Sequence, residues 1–426
     1  MTTILDKRVV LLCHIFLFFI TCSLHAHTMG VEEAIATPSD TAMMKKMEEK
    51  GIYISGGNKI QLLTSGEIKF LDLFEAVKQA KHHVHLEYFN FRNDSIAHAL
   101  FDLLGEKAKE GVEIRAMFDA FGNTSNNRPL KKKHLRAIER EGIEIVKFDP
   151  IRFPFINHVF HRDHRKIVVI DGKVGYTGGM NIADYYIKGL PEIGDWRDMH
   201  MRIEGDAVSY LQDIFLTMWN DATKQHVGGK AYYPLRNDSI QNNQAANVAV
   251  LDRIPLKQPE IMRELYINSL DAAEKKVQLI NPYFTPIKSI RKAIKRALQR
   301  GVEVEIMIPG KSDIPFTPDA AFYLANKLQK KGAKIYVFNG GFHHAKIMMV
   351  DDLFCTVGST NLNSRSLCYD YEVNALIFNK TTTNELVRVF EKDKLNSTLL
   401  TRELYKKRST WRRFVGWFAH LLVPFL

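Results

Sequence analysis

Two stretches of the sequence carry the same three polar residue types at the same spacing. Each reads His-x-Lys, followed after four residues by Asp, and the second copy lies 180 residues after the first. The six residues are His164, Lys166, Asp171, His344, Lys346 and Asp351. The same offset relates Asn181 to Asn361. Because a three-residue pattern also occurs by chance, it is the second copy with its trailing asparagine that indicates a duplicated chemical unit.

Paired imidazoles and paired ammonium groups suit chemistry on a phosphodiester. One histidine can attack phosphorus to form a phosphoryl-histidine, while the other exchanges protons with the alcohol or water. The two lysines can neutralise the phosphate oxygens, and the amides of Asn181 and Asn361 can bind the same oxygens. This scheme requires no metal and no organic cofactor, and no metal-ligand spacing is evident in the sequence.

Strand geometry divides the roles within each motif. The β-branched run Ile167–Ile170 predicts a short strand. Because side chains alternate faces along a strand, His164 and Lys166 share one face, whereas Asp171 falls on the other at an Asp-Gly turn. Although Asp171 belongs to the catalytic signature, we assign the histidine and lysine to chemistry and the aspartate mainly to the turn. The same argument applies to the second motif.

Each imidazole needs a partner on its other ring nitrogen to fix its orientation. Asp198 follows His164 by 34 residues, and Glu372 follows His344 by 28 residues. These similar distances predict that each carboxylate orients the histidine that precedes it in the chain. A surface carboxylate or a strand-end ion pair is the alternative for either residue.

The elements around the motifs are duplicated as well. Predicted strands and helices alternate, which indicates a layered α/β architecture. Gly111-Val-Glu recurs as Gly301-Val-Glu, and Gly142 and Gly332 each precede a predicted strand. We therefore expect two copies of one α/β fold, packed about a pseudo-twofold axis with both motifs in one cleft.

The polar stretch around residues 225–247 divides the two copies. We place the first lobe at residues 56–240 and the second at residues 241–400. Residues 27–55 are expected to be a loosely structured lead-in. Residues 1–26 have two basic residues, a short apolar run and a small residue near position 26, which is the pattern of a signal peptide or membrane anchor.

Residues 401–426 form a basic, aromatic-rich tail. One helical face would contain Trp411, Phe414, Val415, Phe418 and Leu422. The basic residues near this face are Lys406, Lys407, Arg408, Arg412 and Arg413. Such a helix fits a membrane surface, and docking on the protein's own core remains the alternative.

The overall charge is positive. The 59 Lys and Arg residues exceed the 48 Asp and Glu residues, which gives a net charge of +11. This balance favours anionic partners such as phospholipid surfaces, nucleic acid or phosphorylated substrates, without choosing among them. Four cysteines, two of them in the leader, do not form a disulfide framework.

The motifs resemble those of the phospholipase D superfamily, which is defined by two copies of H-x-K-x-x-x-x-D. The segments GDWRDMHMRIEG, NPYF, HHAKIMMVDD and GSTNLNSRSLCYDYE resemble bacterial cardiolipin synthases in particular. The resemblance implies two phospholipase D-like lobes with mixed sheets flanked by helices. It also implies that His164 is the nucleophile and His344 the acid and base, with Lys166, Lys346, Asn181 and Asn361 binding phosphate.

The same resemblance implies transfer of a phosphatidyl group from one phosphatidylglycerol to another at an anionic bacterial membrane. No nucleic-acid partner is expected, because the apolar leader and aromatic tail do not resemble a basic groove with stacking aromatics. Asn363-Ser364-Arg365-Ser366 departs from the usual Asp-Arg-Ser sequence. The alternatives are a hydrolase with the same site, acting on phospholipid or nucleic acid, and a non-catalytic membrane-binding protein with a relic site.

Overall fold

The strands form one large mixed sheet and one small two-stranded sheet within the part of the chain that the structure describes. The structure is a computed structural model that describes residues 38–150, 160–234, 245–314 and 317–423. The strands in chain order are β1 (Ser55–Leu63), β2 (His83–Tyr88), β3 (Glu113–Asp119), β4 (Glu144–Phe148), β5 (Lys166–Ile170), β6 (Val174–Gly178), β7 (Trp196–Arg197), β8 (His200–Glu204), β9 (Ala246–Arg253), β10 (Lys276–Ile280), β11 (Glu303–Pro309), β12 (Lys334–Phe338), β13 (Phe342–His343), β14 (Ile347–Val350), β15 (Phe354–Gly358), β16 (Glu372–Phe378) and β17 (Ser397–Leu399).

The strand order of the large sheet repeats on either side of its centre. The order is β17-β12-β11-β10-β14-β15-β16-β9-β1-β8-β6-β5-β2-β3-β4. The central strands β1 and β9 are antiparallel, and an antiparallel pair relates its two strands by a twofold rotation. From that pair outward, corresponding strands follow in the same sequence on both sides, with β17 added at one edge. The expected pseudo-twofold α/β duplication is therefore confirmed; we call β1–β8 the first lobe and β9–β17 the second lobe.

Helices flank this sheet. Asp94 caps one of them by accepting a hydrogen bond from the backbone N–H of Ala97, as the polar residues before that helix predict. The helices are α1 (Ser39–Glu49), α2 (Gly66–Lys78), α3 (Ser95–Lys109), α4 (Ala120–Ser125), α5 (Lys132–Arg140), α6 (Tyr185–Lys188), α7 (Ala207–Thr223), α8 (Ile261–Ala272), α9 (Lys288–Gln299), α10 (Thr317–Gln329), α11 (Ser364–Cys368), α12 (Lys380–Leu395), α13 (Arg402–Lys407) and α14 (Thr410–Leu421).

Apolar side chains form a main core within each lobe, a further core shared by both, and a smaller cluster in the first lobe around Trp219. The shared core contains Ile167 and Val169 of β5 together with Ile347 and Met349 of β14. These residues alternate with others that enter the core of their own lobe, because both faces of each motif strand are covered. The sheet and the shared core therefore fix the two motif strands relative to each other.

The lead-in is more ordered than expected. Within residues 27–55, α1 forms a helix whose Met43 and Met47 are buried in the core of the second lobe. The expectation of a loosely structured segment is wrong there, because two methionines one helical turn apart suffice to dock a helix on a preformed core. The predicted leader and the predicted lobe boundary at residue 240 lie outside the described residues.

The tail forms α13 and α14, and α14 docks on α10. Gly416 and Ala419 of α14 are buried in this contact, whereas the aromatic face remains exposed. The docking alternative therefore holds for one side of α14, whereas membrane binding by the exposed side stays a prediction. None of the helices in the described ranges has the length and hydropathy needed to cross a bilayer.

Candidate active site

The two motifs lie at the starts of equivalent hairpins. β5 begins at Lys166 and pairs with β6, and β14 begins one residue after Lys346 and pairs with β15. His164 and His344 each lie two residues before the lysine of their motif, where the chain enters the strand. The shared sheet thus brings both histidines to the interface between the lobes.

The motif aspartates lie in the hairpin turns. Asp171 has a positive φ of 52°, and its carboxylate accepts hydrogen bonds from the backbone N–H groups of Lys81, His82 and His83 at 2.7–3.0 Å. Asp351 does the same for the backbone N–H groups of residues 274–276 at 2.7–2.8 Å. Each aspartate therefore ties its turn to the loop that precedes the neighbouring strand, in agreement with the turn role assigned to it.

Each histidine is hydrogen-bonded to a carboxylate of the opposite lobe. Nδ1 of His164 lies 3.0 Å from Glu372 Oε1, and Nδ1 of His344 lies 2.7 Å from Asp198 Oδ2. An ionised carboxylate can only accept, so Nδ1 is the protonated nitrogen of both neutral rings. Nε2 is then the nitrogen that carries the lone pair in each ring.

This pairing corrects one expectation. Asp198 does not contact His164, the histidine that precedes it, and Glu372 likewise serves His164 rather than His344. The reason is geometric: Asp198, between β7 and β8, and Glu372, at the start of β16, lie at the lobe interface, where the twofold arrangement presents the histidine of the other lobe. The number of residues between a carboxylate and a histidine gives no information about this rotation.

The lysines and asparagines of the motifs are buried beside the histidines. The Lys166 and Lys346 side chains both point back over the carbonyl of the histidine two residues earlier. Asn181 and Asn361 are buried like the two lysines, and the Oδ1 atom of each has no hydrogen-bond partner in the structure. Buried amides are normally satisfied, so these two asparagines are polar groups available to a bound molecule.

Burial shapes the protonation states of the site. It lowers the pKa of His164 to about 4 and that of His344 to about 3, and in each case the lysine of the same motif adds to the effect. The lysine of the opposite motif lowers each histidine pKa as well, which places all four groups in one electrostatic environment. Both imidazoles are therefore neutral at pH 7 in the free site.

The pKa values of the two motif lysines are lowered as well. Burial lowers the pKa of Lys166 to about 7 and that of Lys346 to about 8, although the carboxylates Glu372 and Asp198 act to raise them. Burial raises the pKa of Asp198, but the charge of Lys346 and the hydrogen bonds from His344 and the backbone of Met199 together outweigh it, so the net pKa is lowered. The site thus combines ionised carboxylates with two ammonium groups whose charge is lost just above neutral pH.

Two residues that the sequence did not single out position the carboxylates. The Ser359 hydroxyl donates a hydrogen bond to Glu372. At the equivalent place in the first lobe, a side chain on Gly179 would collide with Asp198, because a Cβ there would lie 2.2 Å from its Oδ1. The 180-residue offset, which relates Gly179 to Ser359, is the signal that could have identified both.

More aromatic rings lie next to His344 than next to His164. Trp196, Tyr283 and Phe342 have ring centroids 5.4–5.8 Å from that of His344, whereas Phe89 lies 5.1 Å from His164. The parallel β7–β13 pair carries Trp196 and Phe342 across the lobe interface. The two half-sites are therefore chemically unequal despite their shared motif.

Comparison with known proteins identifies the family. The model of the cardiolipin synthase, phospholipase D-like domain matches residues 73–219 and 266–394. A cardiolipin synthase of Listeria monocytogenes is 36% identical over 379 residues, covering 88% of this chain and 77% of that protein. A cardiolipin synthase of Staphylococcus aureus is 35% identical over 377 residues, covering 88% and 75%.

A solved structure shares the fold. The phosphatidylserine synthase of Haemophilus influenzae superimposes with a TM-score of 0.67 at 15% identity, covering 90% of this chain and 99% of that one. The duplicated fold, the paired motifs at the lobe interface and these similarities agree: the chain belongs to the cardiolipin synthase family of phospholipase D-like enzymes.

Proposed function

We propose that this enzyme is a cardiolipin synthase that transfers a phosphatidyl group between two phosphatidylglycerol molecules, giving cardiolipin and glycerol. One observation carries the proposal: two neutral imidazoles are each held through Nδ1 by a carboxylate of the opposite lobe. This arrangement leaves the lone pair of each ring on Nε2, where it can react at phosphorus; in the free site, that of His344 faces Lys346 Nζ at 3.1 Å. The relatives named cardiolipin synthases supply the substrate class.

In the first step, Nε2 of His164 attacks the phosphorus of the donor. The bond from phosphorus to the glycerol head group breaks, and the departing oxygen receives a proton from His344. The product is a phosphatidyl group bound to His164, together with free glycerol. Lys166, Lys346 and the two asparagine amides stabilise the charge on the phosphate oxygens.

In the second step, a glycerol hydroxyl of another phosphatidylglycerol attacks the same phosphorus. His344 takes the proton of that hydroxyl, and the bond from phosphorus to His164 breaks, which regenerates the free imidazole. His344 is neutral in the free site and is therefore ready for the base role. For the acid role it must gain a proton together with the anionic donor, whose negative charge offsets that of the lysines.

The substrates locate the enzyme. Phosphatidylglycerol resides in bilayers, and the net charge of +11 favours an anionic membrane surface over a neutral one. We propose that the enzyme acts at the bacterial cell membrane, and that residues 1–26 direct or anchor it there. Nucleic acid is not proposed as a substrate.

Product analysis tests the reaction. Purified full-length protein is mixed with phosphatidylglycerol vesicles, and the lipids are followed by mass spectrometry. Cardiolipin with one equivalent of glycerol supports transfer, whereas phosphatidic acid identifies hydrolysis through the same intermediate and contradicts the proposal. His164→Ala and His344→Ala are each expected to abolish turnover.

A trapping experiment tests the order of the two histidines. The reaction is quenched in the steady state, and the peptides containing each histidine are searched for an added phosphatidyl group. We expect the adduct on His164 and its absence from the His164→Ala protein. An adduct on His344 would exchange the two roles.

A further inference from the structure

The C-terminal helix α14 presents a broad apolar surface to solvent. The exposed fractions of its large apolar side chains range from 43% for Leu422, at the helix end, to 70% for Trp411. We call this surface the tail face; it consists of Trp411, Phe414, Trp417, Phe418, Leu421 and Leu422. The aromatic rings of the first three lie side by side, with centroids 5.7–5.8 Å apart. A contiguous patch of this kind is unusual on a surface that meets only water.

The opposite side of α14 is fixed to the second lobe. A Cβ at Gly416 would lie 2.4 Å from the backbone oxygen of Asp319 in α10, so only glycine permits this approach. Arg408, just before α14, pairs with Asp319 and lies 4.0 Å from the ring centroid of Phe322. The tail face is therefore held in a defined direction and is not available to fold back on α10.

The charged side chains within the tail from residue 404 onward are positive. Residues 404–426 contain five basic residues and no aspartate or glutamate. Lys406, Lys407 and Arg412 are exposed. A second protein partner would need its own apolar surface with acidic residues around it, whereas an anionic bilayer offers both features at once.

The residue that follows the tail face contacts the segment after the second motif. The hydroxyl of Ser364, at the start of α11, donates a hydrogen bond to the backbone carbonyl of Val423. Ser364 follows Asn361 of the second motif by three residues. At the other end of α11, Tyr369 contacts the ring of Phe160, which is 55% exposed. Val423 and the exposed ring of Phe160 thus lie at opposite ends of the short helix that follows the second motif.

From these contacts we propose that the tail face docks on an anionic phospholipid bilayer and holds the second lobe at the lipid surface. The proposal rests on the proposed function for its substrate. It assigns the tail to membrane attachment and not to chemistry. Turnover of dissolved lipid should therefore not depend on the tail face.

A triple variant of the full-length chain tests the docking. Trp411→Ser/Phe414→Ser/Phe418→Ser changes three exposed side chains, and Leu256→Ser changes an 88% exposed leucine outside the tail as a matched control. Binding is measured by sedimentation with vesicles of equal parts phosphatidylglycerol and phosphatidylcholine. Turnover is measured on those vesicles and on dihexanoyl phosphatidylglycerol below its micelle concentration.

We expect the triple variant to lose at least about tenfold in vesicle binding and vesicle turnover, because three apolar side chains leave the membrane interface. Turnover on the monomeric lipid should match wild type, and Leu256→Ser should change neither quantity. Unchanged vesicle binding overturns the proposal, and so does a parallel loss on the monomeric lipid, since that would show a structural role. If wild type lacks turnover even on the monomeric lipid, the proposed function fails, whereas the binding measurement still decides the docking.

The charge requirement has its own test. Lys406→Glu/Lys407→Glu/Arg412→Glu is expected to weaken binding to the mixed vesicles by at least about tenfold at low salt. Binding to vesicles of phosphatidylcholine alone should be weak for both proteins. Equal binding of wild type to the two kinds of vesicle would contradict an anionic partner.

Discussion

His344 of the second lobe is hydrogen-bonded through Nδ1 to Asp198 of the first lobe, at 2.7 Å. The equivalent bond runs in the opposite direction, from His164 to Glu372. Each carboxylate keeps Nδ1 of the partner lobe's ring protonated, so that Nε2 carries the lone pair. Orientation and charge at each imidazole therefore depend on both lobes.

Asp198→Asn should lower kcat by about 10³-fold to 10⁴-fold, because an amide neither stabilises the imidazolium nor fixes the tautomer. Glu372→Gln should act in the same way through His164. Steady-state kinetics on phosphatidylglycerol measures the effect, with Asp195→Asn as the matched control, since Asp195 is exposed. A near-normal kcat in either variant would remove the crossed pairs from the mechanism.

Asp171→Ala should reduce stability far more than chemistry. Its carboxylate accepts three backbone N–H groups, and losing it should lower the free energy of unfolding by about 2 kcal/mol. Urea unfolding gives the stability, and kcat of the folded fraction should stay close to wild type. Asp102→Ala, an exposed carboxylate in α3, is the control. A stable but inactive Asp171→Ala protein would contradict the turn role.

The pH dependence of kcat/KM should be set on its alkaline side by the lysines. Burial lowers the pKa of Lys166 to about 7 and that of Lys346 to about 8. The charged form binds phosphate, so kcat/KM should fall as the pH rises through this range. The histidines, with pKa values of about 4 and 3, become protonated only in strong acid.

Lys166→Arg tests the source of that alkaline limb. An arginine keeps its charge at every pH of the experiment, so the decline in kcat/KM should move to higher pH even if the maximum is lower. Lys132→Arg, an exposed lysine of α5, should leave the profile unchanged. An unmoved limb in Lys166→Arg would assign it to another group.

Gly179→Ala should inactivate the enzyme while leaving the fold intact. The added Cβ would lie 2.2 Å from Asp198 Oδ1, which forces that carboxylate away from His344. We expect a loss of kcat approaching that of Asp198→Asn with little change in the thermal midpoint. Gly228→Ala is the matched control, because a Cβ there meets nothing within 4 Å. Full activity in Gly179→Ala would show that Asp198 can move without consequence.

Much of the fold follows from the repeated pattern in the sequence. The duplicated strands, the shared face of His164 and Lys166, and the turn position of Asp171 depend on local spacing, which the sequence records directly. Which histidine each carboxylate contacts depends on the rotation between the lobes. The prediction from chain distance is therefore wrong for both Asp198 and Glu372. No residue near Asp198 in the sequence indicates that its partner is His344.

The ends of the chain show the same limit. Met43 and Met47 give α1 only a narrow apolar stripe, so its docking on the second lobe depends on a surface built by residues more than two hundred positions away. In α14, the apolar periodicity is correct, but the contact with α10 is made by Gly416, Ala419 and His420 and not by the aromatic face. A small residue used for close approach has no hydrophobic signal.

The exchange of carboxylates across the twofold also bears on ancestry. A protein built from only one half would own a histidine without its orienting acid, and would become competent solely by meeting a second molecule of itself. When two such units are joined in one polypeptide, activity no longer depends on the protein concentration needed for two molecules to associate. It also lets substitutions such as glycine at 179 and serine at 359 accumulate separately, so that the surroundings of the two imidazoles can diverge.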